Sequence, residues 1–316
     1  MSSQTNITAE RGLLEFVLFS VPITVPCCVF LCINGIMLFI LRCKSVFRET
    51  SRYVLLFNLL FADTLHMALS QLLFLLSVFQ IRLTYPVCGV VVMLADITRE
   101  ISPLTLVVMS LERYVAVCYP LRHSTFITIR NTAVAVIVVW AFSSLNNVAR
   151  VILLLDISVE DLVNLRMKDF CAKENMLLGR YSGDHDKAYN YFLFVSAGVA
   201  VSCSYIGVMI AARSACTDKD SVRKARNTLL LHLVQLGLSL SSTLHNPLIK
   251  AIAKVTDRLA MLRVRSFLYV CIILLPRCLS ALIYGIRDQT IRPILLYHLH
   301  CRLKLPVVPA KAKVSQ

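Results

Sequence analysis

Charged side chains interrupt several apolar stretches of this 316-residue chain. They are the residues that could form ion pairs or bind a polar ligand. Asp63 and Arg277 each stand alone in such a stretch, whereas Asp96, Arg99 and Glu100 lie close together in another. A charge removed from water is costly unless it is paired. Each of these residues therefore predicts either a buried ion pair or a polar cavity.

The spacing of Asp96, Arg99 and Glu100 has two interpretations. Residues three and four apart are neighbours on one face of a helix. Either Arg99 neutralises Asp96 and this face merely fills the interior, or the face lines a cavity that receives a ligand. We favour the second interpretation and predict that these three residues bind the ligand.

Catalytic motifs are absent from the sequence. It contains no G-x-S-x-G, no H-E-x-x-H, no phosphate-binding loop and no Cys/His cluster at zinc spacing. We therefore expect a binding protein rather than an enzyme, with no cofactor and no metal.

The elements that must position these charges are membrane helices. Hydrophobic residues make up 57% of the chain and charged residues 16%, with a mean hydropathy of +0.71. A spanning helix needs about 20 mostly apolar residues. We predict an all-α membrane protein, a seven-helix bundle with helices at about 16–41, 53–81, 87–117, 131–155, 188–213, 225–250 and 262–286. Residues 1–15 precede the bundle, and residues 287–316 form a tail with a candidate short amphipathic helix.

Loop charge predicts the orientation, because Lys and Arg favour the cytoplasmic side of a membrane. With the N-terminus outside and the C-terminus inside, the inner segments carry a net charge of +13 and the outer segments only +2. The net charge of +15 therefore needs no nucleic acid as a partner. Lipid is the expected surrounding, in a multi-pass protein of the plasma membrane.

One outer segment departs from this charge rule. Residues 250–265 contain five bases and one acid, and the bases are Lys250, Lys254, Arg258, Arg263 and Arg265. Either these bases pair with the acidic outer loop 156–187, or they form a basic mouth that attracts anionic ligands.

The end of the third segment carries a family resemblance. Residues 110–123 have the sequence SLERYVAVCYPLRH, and residues 276–289 have the sequence PRCLSALIYGIRDQ. Together with Asn34-Gly35, residues 59–63 and Trp140, they resemble rhodopsin-like (class A) G-protein-coupled receptors of the olfactory branch, and are most similar to fish odorant receptors. The resemblance covers about residues 16–300. It implies that a small odorant-like ligand binds from outside and that a heterotrimeric G protein is activated inside.

The resemblance also implies roles for individual residues. The residues expected to couple to the G protein are Glu112, Arg113, Tyr114, Tyr205 and Tyr284. Because the start of the sixth segment is basic, we expect Glu112 to be the main partner of Arg113 in the resting state. The family usually has a proline where Ala281 stands, which puts the usual break in the seventh helix in doubt.

Asp63 stands where the resemblance places the carboxylate of a sodium site. Arg277 precedes Tyr284 by seven residues, two helical turns, so both should project toward the bundle axis. We predict that Arg277 pairs with Asp63 and occupies the sodium position, with Ser102 and Ser280 as polar neighbours. This polar core pair would connect the second and seventh helices.

Covalent modifications are expected at four positions. Of the 12 cysteines, only Cys88 and Cys171 lie on the outer, oxidising side, and we predict a disulfide between them. Asn6 begins the Asn-Ile-Thr glycosylation sequon. Cys301 in the tail is a candidate for palmitoylation.

Two alternatives remain open from the sequence. The first is a non-olfactory class A receptor for a peptide or a lipid, which the predicted ligand-binding residues do not exclude. The second and more remote alternative is a membrane transporter, which would predict internal repeats and paired charges near the bilayer midplane.

Overall fold

The computed structural model is almost entirely helical. It describes residues 2–155, 171, 180–214, 223, 226–227, 230–231, 233–238, 245–252, 257–288 and 290–303. Five long helices come first, namely α1 Ser2–Cys43, α2 Ser51–Val78, α3 Tyr85–Cys118, α4 Ile129–Leu155 and α5 Arg180–Ser214. They are followed by α6 His245–Ile252, α7 Arg258–Leu268, α8 Leu275–Arg287 and α9 Ile291–Leu303. Short helical segments lie at Ser45–Arg48, Pro120–Arg122 and His123–Phe126.

Six helical stretches among the described residues are long and apolar enough to cross a membrane. They are Ser20–Cys43, Ser51–Val78, Tyr85–Cys118, Ile129–Arg150, Lys187–Ala211 and Arg263–Ile286. They overlap six of the seven predicted segments. The remaining one, 225–250, is described only in part, and its described residues 226–227, 230–231, 233–238 and 245–250 are helical. Helix α1 begins at Ser2, so most of the predicted N-terminal segment 1–15 continues the first helix.

The distribution of polarity is inverted relative to a water-soluble protein. Large apolar side chains such as Val25, Ile137 and Phe192 are exposed on the outer surface of the bundle. Charged side chains such as Asp63 and Glu100 are buried within it. Soluble proteins bury ionisable groups rarely and expose few contiguous apolar surfaces. This arrangement shows that the bundle is built for lipid around it.

Helix α3 is the central helix, in contact with α2, α4 and α5. Polar side chains connect these helices at mid-depth. The Trp140 indole N–H donates to Asn58 Oδ1 at 2.8 Å, and Asn58 Nδ2 donates to Thr105 Oγ1 at 2.9 Å. Hydrogen bonds of this kind hold membrane helices together where burial of apolar surface supplies little driving force. They set the rotation of α4 and α2 against α3.

The seventh predicted segment is helical from Arg258 to Arg287, with a wider π-helical turn at Tyr269–Leu274. Pro276 lies two residues beyond the end of this turn. A proline has no N–H to donate and its ring collides with the carbonyl four residues earlier, so the preceding turn must widen or kink. The helix then continues through Ala281, because alanine retains the N–H that the family's usual proline lacks. The irregularity of this helix therefore lies near Pro276 rather than at Ala281.

Asp288 organises the junction between α8 and α9. Its Oδ1 accepts the backbone N–H groups of Thr290 and Ile291 at 2.9 and 3.2 Å, which caps the first turn of α9. Its Oδ2 accepts the Tyr53 hydroxyl at 3.0 Å and lies 3.5 Å from Arg52 Nη2. The start of α9 is thereby joined to the N-terminal end of α2.

Candidate functional site

The three residues that the sequence predicted as ligand-binding lie together on the side of α3 that faces α4 and α5. Arg99 Nε lies 3.3 Å from Asp96 Oδ1, and Arg99 Nη2 lies 3.9 Å from Glu100 Oε1. Arg99 Nη1 also donates to Asn190 Oδ1 on α5 at 2.8 Å. We call this group of side chains, with those that join it below, the α3–α4–α5 charge cluster.

The structure adds Arg150 of α4 to the charge cluster, which the sequence interpretation overlooked. Arg150 Nη1 donates to Asp96 Oδ2, and Arg150 Nη2 donates to Glu100 Oε1 at 2.9 Å. One signal could have found it, because Arg150 lies inside the run VARVILLL, where an unpaired charge would be costly. Its partner could not be read from the sequence, since pairing with α3 depends on the rotation of α4.

Glu100 is held by neutral donors as well as by arginine. Its Oε1 accepts Asn146 Nδ2 at 2.8 Å, and its Oε2 accepts the Ser143 and Tyr189 hydroxyls, each at 3.1 Å. The Glu100 side chain is 0% exposed, so every donor replaces a hydrogen bond that water would have made. Its many donors explain how a carboxylate can lie between α3, α4 and α5.

The cluster is neutral in total, with two acids and two arginines, but its members differ in exposure. Side-chain exposure is 7% for Arg150 and 8% for Asp96, against 18% for Arg99. The most exposed member, Arg99, makes the longer ion contacts and reaches an uncharged amide on α5. Its guanidinium is therefore the part of the cluster that another hydrogen-bond acceptor could engage most easily.

The polar core pair is present as predicted. Arg277 Nη1 lies 2.8 Å from Asp63 Oδ1 and 2.6 Å from Ser102 Oγ, and the Ser102 hydroxyl donates to Asp63 Oδ1 at 2.5 Å. Arg277 and Asp63 are 4% and 2% exposed in their side chains. The triad joins α8 to α2 and α3. The Ser280 side chain, the other predicted neighbour, lies outside the described side chains.

The C-terminal end of α3 carries the other predicted ion pair. Arg113 Nε lies 3.1 Å from Glu112 Oε2, and His123 Nε2 lies 3.9 Å from Glu112 Oε1. Glu112 is thus placed as expected beside the arginine and is also near the short helix that follows α3.

The three tyrosines expected at this end occupy two different places. Tyr114 and Tyr205 pack together around Val208 between α3 and α5. A Cβ added at Gly207 would lie 2.3 Å from the Tyr114 ring, so glycine is what allows the ring to approach α5. Tyr284 lies elsewhere, 4% exposed in the main apolar core. The structure therefore does not bring Tyr284 together with the other two.

Comparisons with known proteins decide which family this arrangement belongs to. The family model described as 7 transmembrane receptor (rhodopsin family) matches residues 33–290. The chain belongs to the rhodopsin family of seven-transmembrane receptors. Membership in a family of receptors agrees with the prediction that the chain is not an enzyme. It also identifies a multi-pass membrane protein.

Curated relatives of this receptor are similar along most of their length. "Odorant receptor 131-2" from Danio rerio is 29% identical over 274 residues, which cover 86% of this chain and 83% of that protein. "Olfactory receptor 7A17" from Homo sapiens is 25% identical over 238 residues, 70% of this chain and 76% of that protein. "Olfactory receptor-like protein OLF4" from Canis lupus familiaris is 25% identical over 252 residues, with 77% and 79% covered.

The predicted disulfide of the receptor is formed. Cys88 at the start of α3 bonds Cys171 with an S–S distance of 2.02 Å and a Cα–Cα distance of 5.6 Å. Both cysteines are buried and pack with Val92. Cys171 is thus tied to the same helix that carries the charge cluster.

Two predicted modification sites of the receptor lie outside the described side chains. Asn6 belongs to α1 and Cys301 to α9, and only their backbones are described. Glycosylation of Asn6 and palmitoylation of Cys301 stay predictions.

Proposed function

We propose that this receptor detects a small odorant-like molecule from outside the cell and activates a heterotrimeric G protein inside it. The names of the curated relatives support this proposal, as does family membership. The proposed orientation has the N-terminus outside and the C-terminus inside, in the plasma membrane, as the loop charges favour.

One observation carries the proposal, namely two separate charged sites on the single helix α3. Arg99 belongs to the charge cluster and Arg113 to the ion pair with Glu112. They are 14 residues apart, which is about 21 Å along a helix that rises about 1.5 Å per residue. A ligand that alters the first site can move or rotate the helix that carries the second. Only a ligand that binds the active arrangement more tightly than the resting one can activate the receptor in this way.

We propose that Asp96, Arg99 and Glu100 form one wall of the ligand site. In this wall Arg99 contacts the ligand, while Asp96 and Glu100 hold the Arg99 and Arg150 guanidinium groups in place. The greater exposure of Arg99 and its contact with Asn190 support this division of roles.

We propose that Arg113 is the residue that couples to the G protein, with Tyr114, Tyr205 and Tyr284 in support. Its guanidinium is permanently charged and can exchange Glu112 for carbonyl acceptors on the G protein. Arg113→Ala should retain surface expression and ligand binding while signalling falls to the level of untransfected cells.

The experiment is a cAMP reporter assay in cells that co-express an olfactory G protein. Ligands would be amphipathic acids, amines and steroids, and surface receptor would be quantified by antibody labelling of intact cells. Arg122→Ala, an exposed arginine beyond the end of α3, is the matched control and should keep its response. Full signalling by Arg113→Ala would contradict the coupling role. A receptor that reached the surface but answered none of these ligands would argue against the odorant assignment.

A further inference from the structure

A cavity of about 240 Å³ lies between α1 and α7, away from the charge cluster. Its lining residues are Pro22, Arg263, Ser266, Phe267 and Val270. Arg263 lies at the N-terminal end of the span predicted at 262–286, and Pro22 lies in the N-terminal part of the span predicted at 16–41. The cavity therefore lies at the depth where the membrane meets water, on the outer side in the proposed orientation.

The lining residues lie along one face of the helix, and the surface that they present to the cavity is almost wholly apolar. Residues 266, 267 and 270 follow Arg263 by three, four and seven positions. At these spacings all four residues form a single stripe on the helix. The exposed Arg263 lies at the shallow end of the stripe, and Ser266, Phe267 and Val270 follow toward the bilayer. A ligand that matched this order would have a polar head facing water and an apolar body facing lipid.

The charge of the shallow part favours an anionic head. Arg263 is exposed, and none of the residues that the structure describes forms an ion pair with it. It belongs to the segment 250–265, which has five bases against one acid on the side where bases are disfavoured. A guanidinium binds a carboxylate through two parallel hydrogen bonds, which makes arginine well suited to such a head.

The size of the cavity restricts the body of the ligand. About 240 Å³ is the volume of roughly eight water molecules. That is less than the usual pocket for a drug-sized ligand. Its apolar lining suits the first few carbons of an alkyl chain, with the head group at the Arg263 end. The rest of a chain could lie along Phe267, which is 67% exposed, and along the lipid-facing Val25 and Val29 of α1.

We propose that this cavity is an accessory binding site for a membrane-dissolved amphiphile with one carboxylate and a single alkyl chain. Arg263 binds the carboxylate, and Phe267 and Val270 contact the upper chain. The site is separate from the α3–α4–α5 charge cluster, so it does not depend on the proposed odorant function. Its occupant joins α1 to α7 at their outer ends.

The test is photolabelling of the purified full-length receptor in phosphatidylcholine nanodiscs. The probe is palmitate with a diazirine near its carboxylate and a terminal alkyne, and labelled peptides are identified by mass spectrometry. Labelling should saturate on the peptide that contains residues 263–270. Unlabelled palmitate should compete, whereas hexadecanol, which lacks the carboxylate, should compete at least tenfold more weakly.

Variants assign the binding to Arg263. Arg263→Gln should raise the half-saturating probe concentration about tenfold or more, the effect expected from loss of a charge-assisted hydrogen bond. Arg82→Gln, at an exposed arginine in another outer loop, is the matched control and should label like the natural sequence. Phe267→Ala removes a side chain that is 67% exposed, and should weaken labelling less than Arg263→Gln.

Three results would overturn the proposal. The first is equal labelling of Arg263→Gln and the natural sequence, and the second is competition by hexadecanol as strong as that by palmitate. The third is loss of labelling only when phosphatidylserine is added. The last result would assign the cavity to an anionic phospholipid head group instead. If Arg263→Gln does not accumulate, labelling of Phe267→Ala and the competition series still decide the outcome. Agonist responses in the reporter assay are scored separately, so failure here leaves the odorant proposal untouched.

Discussion

Glu100 and Asp63 are both buried carboxylates, yet their surroundings imply different roles. Glu100 accepts hydrogen bonds from α4 and α5, including one from Arg150 at 2.9 Å. Asp63 accepts from Arg277 and Ser102, which belong to α8 and α3. Removing one partner of a buried pair leaves an uncompensated charge, which is usually worse than losing both partners. Single and paired substitutions should therefore behave differently at each site.

The Asp63–Arg277 pair predicts a strong asymmetry between single and double variants. Asp63→Asn and Arg277→Gln should each cost about 3–5 kcal/mol of stability, because the remaining charge is buried without its partner. Surface expression should fall sharply for each, and the exchanged pair Asp63→Arg with Arg277→Asp should restore part of it. A double variant as impaired as the sum of the singles would contradict the pairing.

The same pair predicts the response to sodium. Because the Arg277 guanidinium lies 2.8 Å from Asp63 Oδ1, a sodium ion has no vacant carboxylate there. Agonist affinity should be the same in sodium chloride and in choline chloride at equal ionic strength. An affinity that falls selectively with sodium would show that the carboxylate is still available to the ion.

The charge cluster predicts that neighbouring residues fail in different ways. Glu100→Gln should reduce surface expression, because Arg150 loses a buried anionic partner. Arg99→Gln should leave expression near normal and change the rank order of agonists, since Arg99 is the more exposed member. Antibody labelling of intact cells and the reporter assay measure the two effects. Misfolding of both variants would show that the charge cluster has a purely structural role.

At the scale of helices, the contact of α3 with α5 depends on one glycine. The Tyr114 ring occupies the space that a side chain at position 207 would need, and Cys118 Sγ contacts the Gly207 carbonyl at 3.7 Å. Tyr114 follows Arg113 directly, so the spacing of these two helices bears on the proposed coupling residue. Another glycine of the same helix, Gly198, has nothing within 4 Å of an added Cβ.

Gly207→Ala should displace Tyr114 and weaken signalling. The added Cβ would lie 2.3 Å from the ring, and overpacking of this kind typically costs about 1–3 kcal/mol. The melting temperature of purified receptor and the maximal reporter response should both fall. Gly198→Ala is the control and should change neither. Addition of Tyr114→Ala should remove most of the penalty, and strictly additive effects would refute the proposed contact.

At the scale of the whole molecule, the disulfide and the charge cluster constrain the same helix. Cys88 lies near the start of α3, and Asp96 follows it by eight residues, about 12 Å along the axis. The bond therefore holds Cys171 beside the half of the bundle in which we place the ligand site.

The disulfide predicts matching losses from either cysteine. Cys88→Ser and Cys171→Ser should each cost about 2–5 kcal/mol, as removal of a native disulfide usually does. Surface expression should fall equally for both, and the double variant should be no worse than either single one. Cys28→Ser, at an exposed cysteine within the α1 span, is the control. Losses that add in the double variant would mean that the two cysteines are not partners.

The sequence alone was enough to predict the membrane spans of this receptor and one buried ion pair. Spans follow from runs of apolar residues of bilayer length, and six of them are present among the described residues. The Asp63–Arg277 pair was predictable because Arg277 shares a helix face with Tyr284, and the family resemblance oriented that face. The family model then supported the receptor assignment over residues 33–290.

Only the tertiary structure decided which side chains meet across helices. Arg150 joins Asp96 and Glu100, Asp288 joins Arg52 and caps α9, and Tyr114 packs against Gly207. The physical reason is that hydrophobic periodicity gives the length of a membrane helix but not its rotation about its own axis. Lipid tails are as apolar as most side chains of these helices, so that rotation is set by interhelical packing and hydrogen bonds, and these become visible only when the helices are assembled.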